Sequence, residues 1–587
     1  AAATAGLHLA AIVGLPFADR GALYNVAAIA AEGRVLALIP KTFIPNYGEF
    51  YERRWFTPAF SGIRRVQISG TAADIPFGTS VLIRDSENSG VALAAEICED
   101  LWAPAPPSSG HALAGATIIA NLSASDEIIG KADYRRSLIS VQSGRLAAAY
   151  IYADCGAGES STDLVFAGHH IIAENSVLLN QSELFSPVMI SADIDTERLA
   201  QERKRTGTFA AGIPDSPEQR YEELYITFRK AEKPLFRYID PLPFVPSGQE
   251  ELERRCEEVI TLQAEGLMQR LRHTKVRNAV IGISGGLDST LALLVTVRAF
   301  DRLSLDRGGI QAITMPAFGT TDRTYRNAHD LMHSLGVTPR EISIRDAVLR
   351  HFEDIGHDPA IHDAVYENAQ ARERTQILMD IANSCAGLVI GTGDLSELAL
   401  GWATYNGDHI SMYGVNASIP KTLVRHLAAH CLRDPSVWAK RGDPEQFVQT
   451  LQDILDTPVS PELLPPEEDS ISQKTEEIIG PYELHDFFLY YTVRWGFGPK
   501  KILCLAEQAF SAGTSRAVPR SREEIIRWMK LFYRRFFSQQ FKRSCLPDGP
   551  KVGSVTLSPR GDWRMPSDAD SALWISELET LENPGDV

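Results

Sequence analysis

The stretch Asn278-Ala279-Val280-Ile281-Gly282-Ile283-Ser284-Gly285-Gly286-Leu287-Asp288-Ser289-Thr290 decides how this 587-residue chain is read. An apolar run ends in a hydroxyl–glycine–glycine turn, and apolar-periodic sequence resumes over residues 291–299. That order is strand, tight turn, helix start. Backbone N–H groups at such a turn, backed by the positive end of a helix dipole, bind anionic phosphate. Ser284, Ser289 and Thr290 add hydroxyl donors beside Gly285 and Gly286. Asp288 adds a carboxylate able to hold Mg2+ against that phosphate. No Gly-Lys-Ser/Thr ending follows, so the loop is not of the Walker type.

Outward from this loop, the chain is too long for one core, and several domains are expected. A hydrophobic content of 44% and a charged content of 23% are those of a globular protein. Lys+Arg 58 against Asp+Glu 75 leaves a net charge of −17, which argues against broad nucleic-acid or membrane binding. The seven cysteines are scattered without a CxxC pair or zinc spacing, as a reducing cytoplasm would allow. No apolar run reaches membrane length and no signal peptide is visible.

Strand-like runs at residues 8–14, 34–39, 81–84, 91–97, 116–121, 147–153 and 169–172 alternate with helical sequence up to about Tyr225. Residues 233–249 hold Pro234, Pro241, Pro243 and Pro246, which is linker composition. Helical periodicity at 250–272 leads into the phosphate-loop strand. Strands at 278–283, 310–315 and 388–391 then alternate with helices at 325–334 and 368–384, the βαβ signature of a doubly wound parallel sheet. The expected division is 1–230, a linker at 231–250, a second domain at 251–530, and a tail at 531–587 with helix at 523–540.

In the first domain, residues 91–97 form an apolar strand that ends at Cys98, followed by Glu99 and Asp100. A cysteine forms covalent acyl intermediates when a base or cation activates it, although a lone strand cysteine is more often a small buried hydrophobe. Two further motifs follow strands: Lys41-Thr42-Phe43-Ile44-Pro45-Asn46-Tyr47-Gly48-Glu49-Phe50-Tyr51-Glu52-Arg53-Arg54 and Asn121-Leu122-Ser123-Ala124-Ser125. Together the three resemble the glutamine amidase branch of the nitrilase superfamily, which carries a Glu–Lys–Cys triad on an αββα sandwich. The resemblance implies Cys98 as nucleophile and Lys41 as the cation facing the oxyanion. It places Tyr47, Glu99, Ser125 and Lys131 at the glutamine substrate. One element departs from the pattern. Of the 40 residues before Lys41, the only acids are Asp19 and Glu32, and Glu32 sits beside Gly33 in what reads as a hairpin turn. Neither matches the family's general-base motif. The expectation is that an opening strand and helix carrying that glutamate lie outside this sequence; the alternative is a defective amidase.

The Ser284 loop itself resembles the pyrophosphate loop of the ATP pyrophosphatase superfamily. Gly391-Thr392-Gly393-Asp394-Leu395-Ser396-Glu397 follows the 388–391 strand, where ligands of open α/β sheets gather. Glu397 can join Asp288 as a second carboxylate on Mg2+. Gln370-Ala371-Arg372-Glu373-Arg374 offers a guanidinium fork for phosphate, followed by Tyr405-Asn406-Gly407-Asp408 and Lys421-Thr422. These motifs, with residues 315–321 and 472–486, resemble the NAD+ synthetases. An amidase followed by such a domain is the layout of the glutamine-dependent branch in its long bacterial form.

That resemblance implies a nitrilase-like αββα sandwich followed by a doubly wound sheet of the adenine nucleotide alpha hydrolase type. It implies ATP-dependent amidation of deamido-NAD+ with ammonia from glutamine, through an adenylate, releasing AMP, PPi and glutamate. An ammonia-dependent synthetase with a dead amidase is the alternative. By resemblance, Asp288, Thr392 and Glu397 hold metal. Ser284, Gly285, Gly286, Asp288, Ser289, Thr392 and Lys421 meet ATP, and Arg372, Glu397, Asp408 and Lys474 meet deamido-NAD+. The other implied features are ATP as co-substrate, Mg2+, a cytoplasmic location and a homo-oligomer.

Overall fold

The computed structural model describes residues 1–68, 74–156, 158–159, 162–213, 221–229, 234–319, 322–440, 442–457 and 475–582. The chain forms two compact units, Ala1–Tyr238 and Ile239–Val587.

The first unit stacks two sheets. Strands β1 (Ala10–Asp19), β2 (Ala22–Ala31), β3 (Arg34–Pro40), β4 (Arg64–Val66) and β5 (Ile75–Phe77) form a sheet of order β1-β2-β3-β5-β4. Strands β6 (Val81–Asp85), β7 (Ala92–Ile97), β8 (Ile118–Ser123), β9 (Ala149–Asp154), β10 (Ile171–Glu174), β11 (Val177–Gln181) and β12 (Glu222–Ile226) form a seven-stranded sheet of order β11-β10-β9-β8-β7-β6-β12. Ala27, Ile29, Ala37 and Ile39 of the first sheet meet Val81, Ile83, Leu93, Ala95 and Ile97 of the second. The alternate residues of the second sheet (Leu82, Ala94, Ile119, Tyr150, Ile171) pack beneath the helices Pro107–Leu113 and Lys131–Leu146. Period-2 alternation thus sends one set of side chains between the sheets and the other under helices.

Strand β2 was not among the expected strands. Its sequence, ALYNVAAIAA, is rich in alanine, a residue depleted from strands, yet its last six residues are buried. Small side chains here fit between packed layers, so tertiary packing overrides propensity. The hairpin turn expected at Glu32 and Gly33 is present: their φ values of +51° and +79° put both central residues in the left-handed region, as a type I′ turn requires.

The second unit is doubly wound. Strands β13 (Asn278–Gly282), β14 (Ile310–Thr314), β15 (Thr338–Glu341), β16 (Gly387–Gly391) and β17 (Tyr413–Gly414) pair in the order β15-β14-β13-β16-β17, all parallel. Helices Gln249–Thr274, Leu287–Arg302 and Lys421–His430 cover one face, and Ala364–Ser384 lies on the other. The chain order reverses between β13 and β16. Their carboxyl ends, carrying Ser284 and Thr392, therefore flank the crevice where this architecture binds ligands. The helix after the loop contains β-branched Thr290, Val295, Thr296 and Val297, all buried. Each costs about 0.5 kcal/mol of helix propensity. Burial of Leu291, Leu293, Leu294 and Phe300, at roughly 1.5–3 kcal/mol each, outweighs that cost.

Two expected boundaries shift. Residues 239–250 belong to the second unit, and the division at 530/531 falls inside the helix Arg522–Ser538. That helix packs on Tyr482–Leu489 and Leu395–Leu400, and Lys542 donates to the carbonyls of Gly401 and Ala403. The tail is thus built into the second unit, anchored beside the 391–397 segment.

The turn at the centre of this unit tolerates little change. Gly285 has φ +86°, and a Cβ there would come 2.2 Å from the carbonyl oxygen of Thr324. That neighbour is backbone and cannot rotate away. Gly285→Ala is expected to lower unfolding free energy by at least about 2 kcal/mol, strain and overpacking together, in denaturant titration of the full chain. A change below about 0.5 kcal/mol would contradict this packing.

Candidate functional site

Three strand ends converge on Cys98. The residue caps the short helix Glu99–Trp102 directly after β7, with φ +47° and ψ −99°. A non-glycine residue held there is strained, and the surroundings fix it. Its N–H donates to Asn121 Oδ1 (3.1 Å) on β8. Asn121 Nδ2 donates to the Tyr150 hydroxyl (3.1 Å) on β9, which in turn donates to Glu96 two strands away on β7. Burial pushes the Cys98 thiol above its ordinary value, against the pull of the Lys41 ammonium and the Ser123 hydroxyl.

Lys41 follows β3 and is 1% exposed. Both carboxylate oxygens of Glu52 lie 2.8 Å from its Nζ. Asp100, just past the cysteine, accepts N–H bonds from Thr42 (3.1 Å), Phe43 (2.8 Å) and Ile97 (2.9 Å). One buried carboxylate thus ties the lysine loop to the cysteine turn. Burial raises Asp100 to about 6, although its backbone N–H donors and Lys41 favour the charged form.

The residues expected around glutamine are also gathered. Tyr47 donates to Glu99 (2.8 Å). Ser125 is buried, with its N–H on Asp154 (3.0 Å) and its hydroxyl accepting from Arg135 (3.3 Å). Lys131 opens the helix Lys131–Leu146, bonds Asp126 at 2.6 Å and faces the rings of Phe50 and Trp102.

In the second unit, the Ser284 loop is closed by its own hydroxyls. The N–H of Ser284 reaches Ser289 Oγ (3.3 Å), and the N–H of Gly286 reaches Ser284 Oγ (3.2 Å). Lys421 Nζ lies 2.7 Å from Asp288 Oδ2, 2.7 Å from Asp394 Oδ2 and 2.8 Å from Glu397 Oε1. Burial alone would lower this lysine, but three carboxylates hold it well above its ordinary value. Burial raises Asp394 and Glu397, with Lys421 opposing. Asp394 also caps the helix Leu395–Leu400 in a capping box with Glu397. Asn416 Nδ2 bridges the carbonyls of Asp288 (2.9 Å) and Thr392 (3.1 Å), joining the two strand ends.

This carboxylate group fits a divalent cation. Ligand oxygens of Asp288, Asp394 and Glu397 all lie within 4.8 Å of one another. Asp288 Oδ1 is buried and accepts no hydrogen bond among the described residues. Hard carboxylate oxygens suit Mg2+, and Lys421 Nζ lies among these three.

A family model described as NAD synthase matches residues 259–450, a span that holds the Ser284 loop, the carboxylates and Lys421. The glutamine-dependent NAD(+) synthetase of Mycobacterium leprae is 43% identical over 605 residues, covering 98% of this chain and 87% of that protein. The chain belongs to the glutamine-dependent NAD+ synthetase family. The Mycobacterium bovis member is 42% identical over 97% of this chain and 86% of its own length. A solved glutamine-dependent NAD(+) synthetase from Cytophaga hutchinsonii matches 98% of this chain and 87% of its own at 20% identity, with a TM-score of 0.43, too low to carry weight.

Several partners carry no mark in the sequence. Glu52 and Asp100 lie inside or beside its own motifs, but nothing local marks them as holding Lys41 and its loop. Asp394, within the 391–397 motif, joins Asp288 and Glu397 around Lys421 while also capping its helix. Arg372 is exposed and donates to the carbonyl of Tyr405 (3.3 Å), while Asp408 closes a turn on the N–H of Thr404 (2.7 Å). Neither hydrogen bond reaches the carboxylate group. Lys474 lies outside the described residues.

The helix Lys421–His430 begins after Pro420, which offers no side-chain cap. Its first N–H groups find acceptors elsewhere: Lys421 donates to Ser396 Oγ (2.8 Å) and Thr422 to Asp486 (3.0 Å). Asp486 also accepts from the hydroxyls of Ser396 and Thr422. Asp486→Ala is expected to lower unfolding free energy by about 2–3 kcal/mol, since it leaves buried donors unpaired. Denaturant titration checks this, and an unchanged stability would contradict the capping role.

Proposed function

We propose that Cys98 and Lys41 release ammonia from glutamine, and that the Ser284 loop with Asp288, Asp394, Glu397 and Lys421 runs the ATP-driven step that uses it. The overall reaction is the family's: ATP-dependent amidation of deamido-NAD+ with glutamine as nitrogen source. The observation that carries this reading is 43% identity to a glutamine-dependent NAD(+) synthetase over 98% of the chain, with both groups of side chains preassembled. A dead-amidase reading is not favoured, because the Cys98 turn, its Asn121 anchor and the Lys41–Glu52 pair are intact.

In the first unit, the Cys98 sulfur attacks the side-chain amide carbon of glutamine. The developing oxyanion faces the buried Lys41 ammonium, which Glu52 keeps oriented. Ammonia departs, and water frees glutamate from the thioester. Tyr47, Glu99, Ser125 and Lys131 orient the amino acid.

In the second unit, the N–H groups and hydroxyls of the Ser284 loop receive the phosphates of ATP. Thr392, at the end of β16, and Asp288 flank the same crevice. The nicotinate carboxylate attacks the α-phosphate, pyrophosphate leaves, and ammonia displaces AMP from the acyl adenylate. Mg2+, held by Asp288 and Glu397 with Thr392 or Asp394, would offset the charge of the phosphates and the leaving pyrophosphate. Arg372, Asp408 and Lys474 are proposed contacts for deamido-NAD+, on the family motifs they occupy.

Two finer features belong to this proposal. A homo-oligomer is supported by the exposed apolar residues Ile128, Ile129, Phe185 and Met189. A cytoplasmic location is supported by seven unpaired cysteines. Among the described residues no helix is long and apolar enough to cross a membrane.

Cys98→Ala is expected to abolish NAD+ formation with glutamine while leaving formation with ammonium salt at or near the unmodified rate. Product assays with each nitrogen source check this. Loss of both activities in a folded variant, or retention of the glutamine reaction, would contradict the two-site reading.

A further inference from the structure

The Lys421 ammonium occupies the middle of the group assigned to a metal. It stands 2.7–2.8 Å from one oxygen each of Asp288, Asp394 and Glu397. Mg2+ bonds oxygen at about 2.1 Å. An ion bonded to the same three oxygens would lie on the axis Nζ now holds, less than about 3 Å from it, with no anion between the two cations. Nor can three carboxylates stay ionised there without a cation, because Asp394 is buried and Glu397 and Asp288 are largely shielded.

We infer that Lys421 and the divalent ion are alternative occupants of one cation seat, so that metal arrival releases the Lys421 ammonium toward the nucleotide phosphates. This rests on the ATP-site reading above and goes beyond it by making the lysine a movable counter-ion. The geometry supports movement of the side chain with a fixed backbone. The Lys421 N–H is held by Ser396 Oγ, and Thr422 is held by Asp486. The four-carbon stem then decides where the charge goes. Nζ also lies 5.2 Å from the centre of the Tyr482 ring, whose face can carry an ammonium on its way out. Asp288 itself belongs to the first turn after the glycine loop, so the phosphates bound there are the nearest new partners for the released charge.

Two consequences separate this from a lysine that merely adds positive charge to the site. Divalent ions alone bind weakly, because they must expel a well-paired ammonium. Ion and nucleotide favour each other's binding, because phosphates accept the expelled charge.

The test uses the full chain and Mn2+ as the probe, without nucleotide. Free Mn2+ is followed by electron paramagnetic resonance, and acylation of Lys421 by an amine-reactive ester is followed by mass spectrometry. Lys421 is expected to be protected without ions and to gain labelling several-fold on saturation with Mn2+. Lys421→Met is expected to bind Mn2+ at least ten-fold more tightly than the unmodified chain. Labelling reads the unmodified protein and so remains decisive if the variant does not fold. Mn2+ saturation with Lys421 still protected would overturn the exchange while leaving the site intact. Mn2+ binding that Asp288→Asn does not weaken would overturn the metal site, and the exchange with it.

Discussion

One buried ammonium among three carboxylates organises the carboxyl edge of the second unit's sheet. Asp288 follows β13, Asp394 and Glu397 follow β16, and Lys421 starts a helix after β17. These elements follow neighbouring strands of one parallel sheet, and their side chains meet at its carboxyl edge. Grouping three acids out of water is unfavourable unless a cation sits between them. Breaking such a buried arrangement costs about 3–5 kcal/mol. The lysine therefore supports the fold. The surrounding polar network follows from it: Ser396 and Asp486 cap its helix, and Asn416 locks Asp288 to Thr392.

The first unit solves a related problem with fewer charges. Lys41 is buried and meets one carboxylate, Glu52, on its own loop. Asp100 then pins that loop to the Cys98 turn by three backbone bonds. The positive φ at Cys98 is held by Asn121, whose amide is itself oriented by the Tyr150–Glu96 pair. Burial raises Glu96 to about 7, while the Tyr150 hydroxyl and the Ser108 N–H favour its charged form. Each unit thus places its reactive groups at strand ends and fixes them with buried polar partners from neighbouring strands.

What was legible beforehand was local. A glycine turn between an apolar strand and a periodic helix is written in adjacent residues, so the Ser284 loop was readable. So were the strands that carry Cys98 and Thr392. Strand β2 was not, because alanine is chosen there for fit between sheets and not for strand propensity. The partnership of Lys421 with Asp288 spans 133 positions, and no periodicity reports it. Asp486 ends the 472–486 stretch, but its role depends on Pro420 having no side-chain acceptor, a fact that matters only once the helix is docked. The helix Arg522–Ser538 reads correctly as a helix. Its place against Tyr482–Leu489 turns an expected tail into part of the second core.

The account turns on the Ser284 site activating a carboxylate by transfer of AMP. The most direct measurement supplies deamido-NAD+ with oxygen-18 in its nicotinate carboxylate, together with ATP and glutamine, and weighs the products. Attack on the α-phosphate predicts one oxygen-18 in AMP and the other retained in the carboxamide of NAD+. Unlabelled AMP, or oxygen-18 in pyrophosphate, would contradict the account.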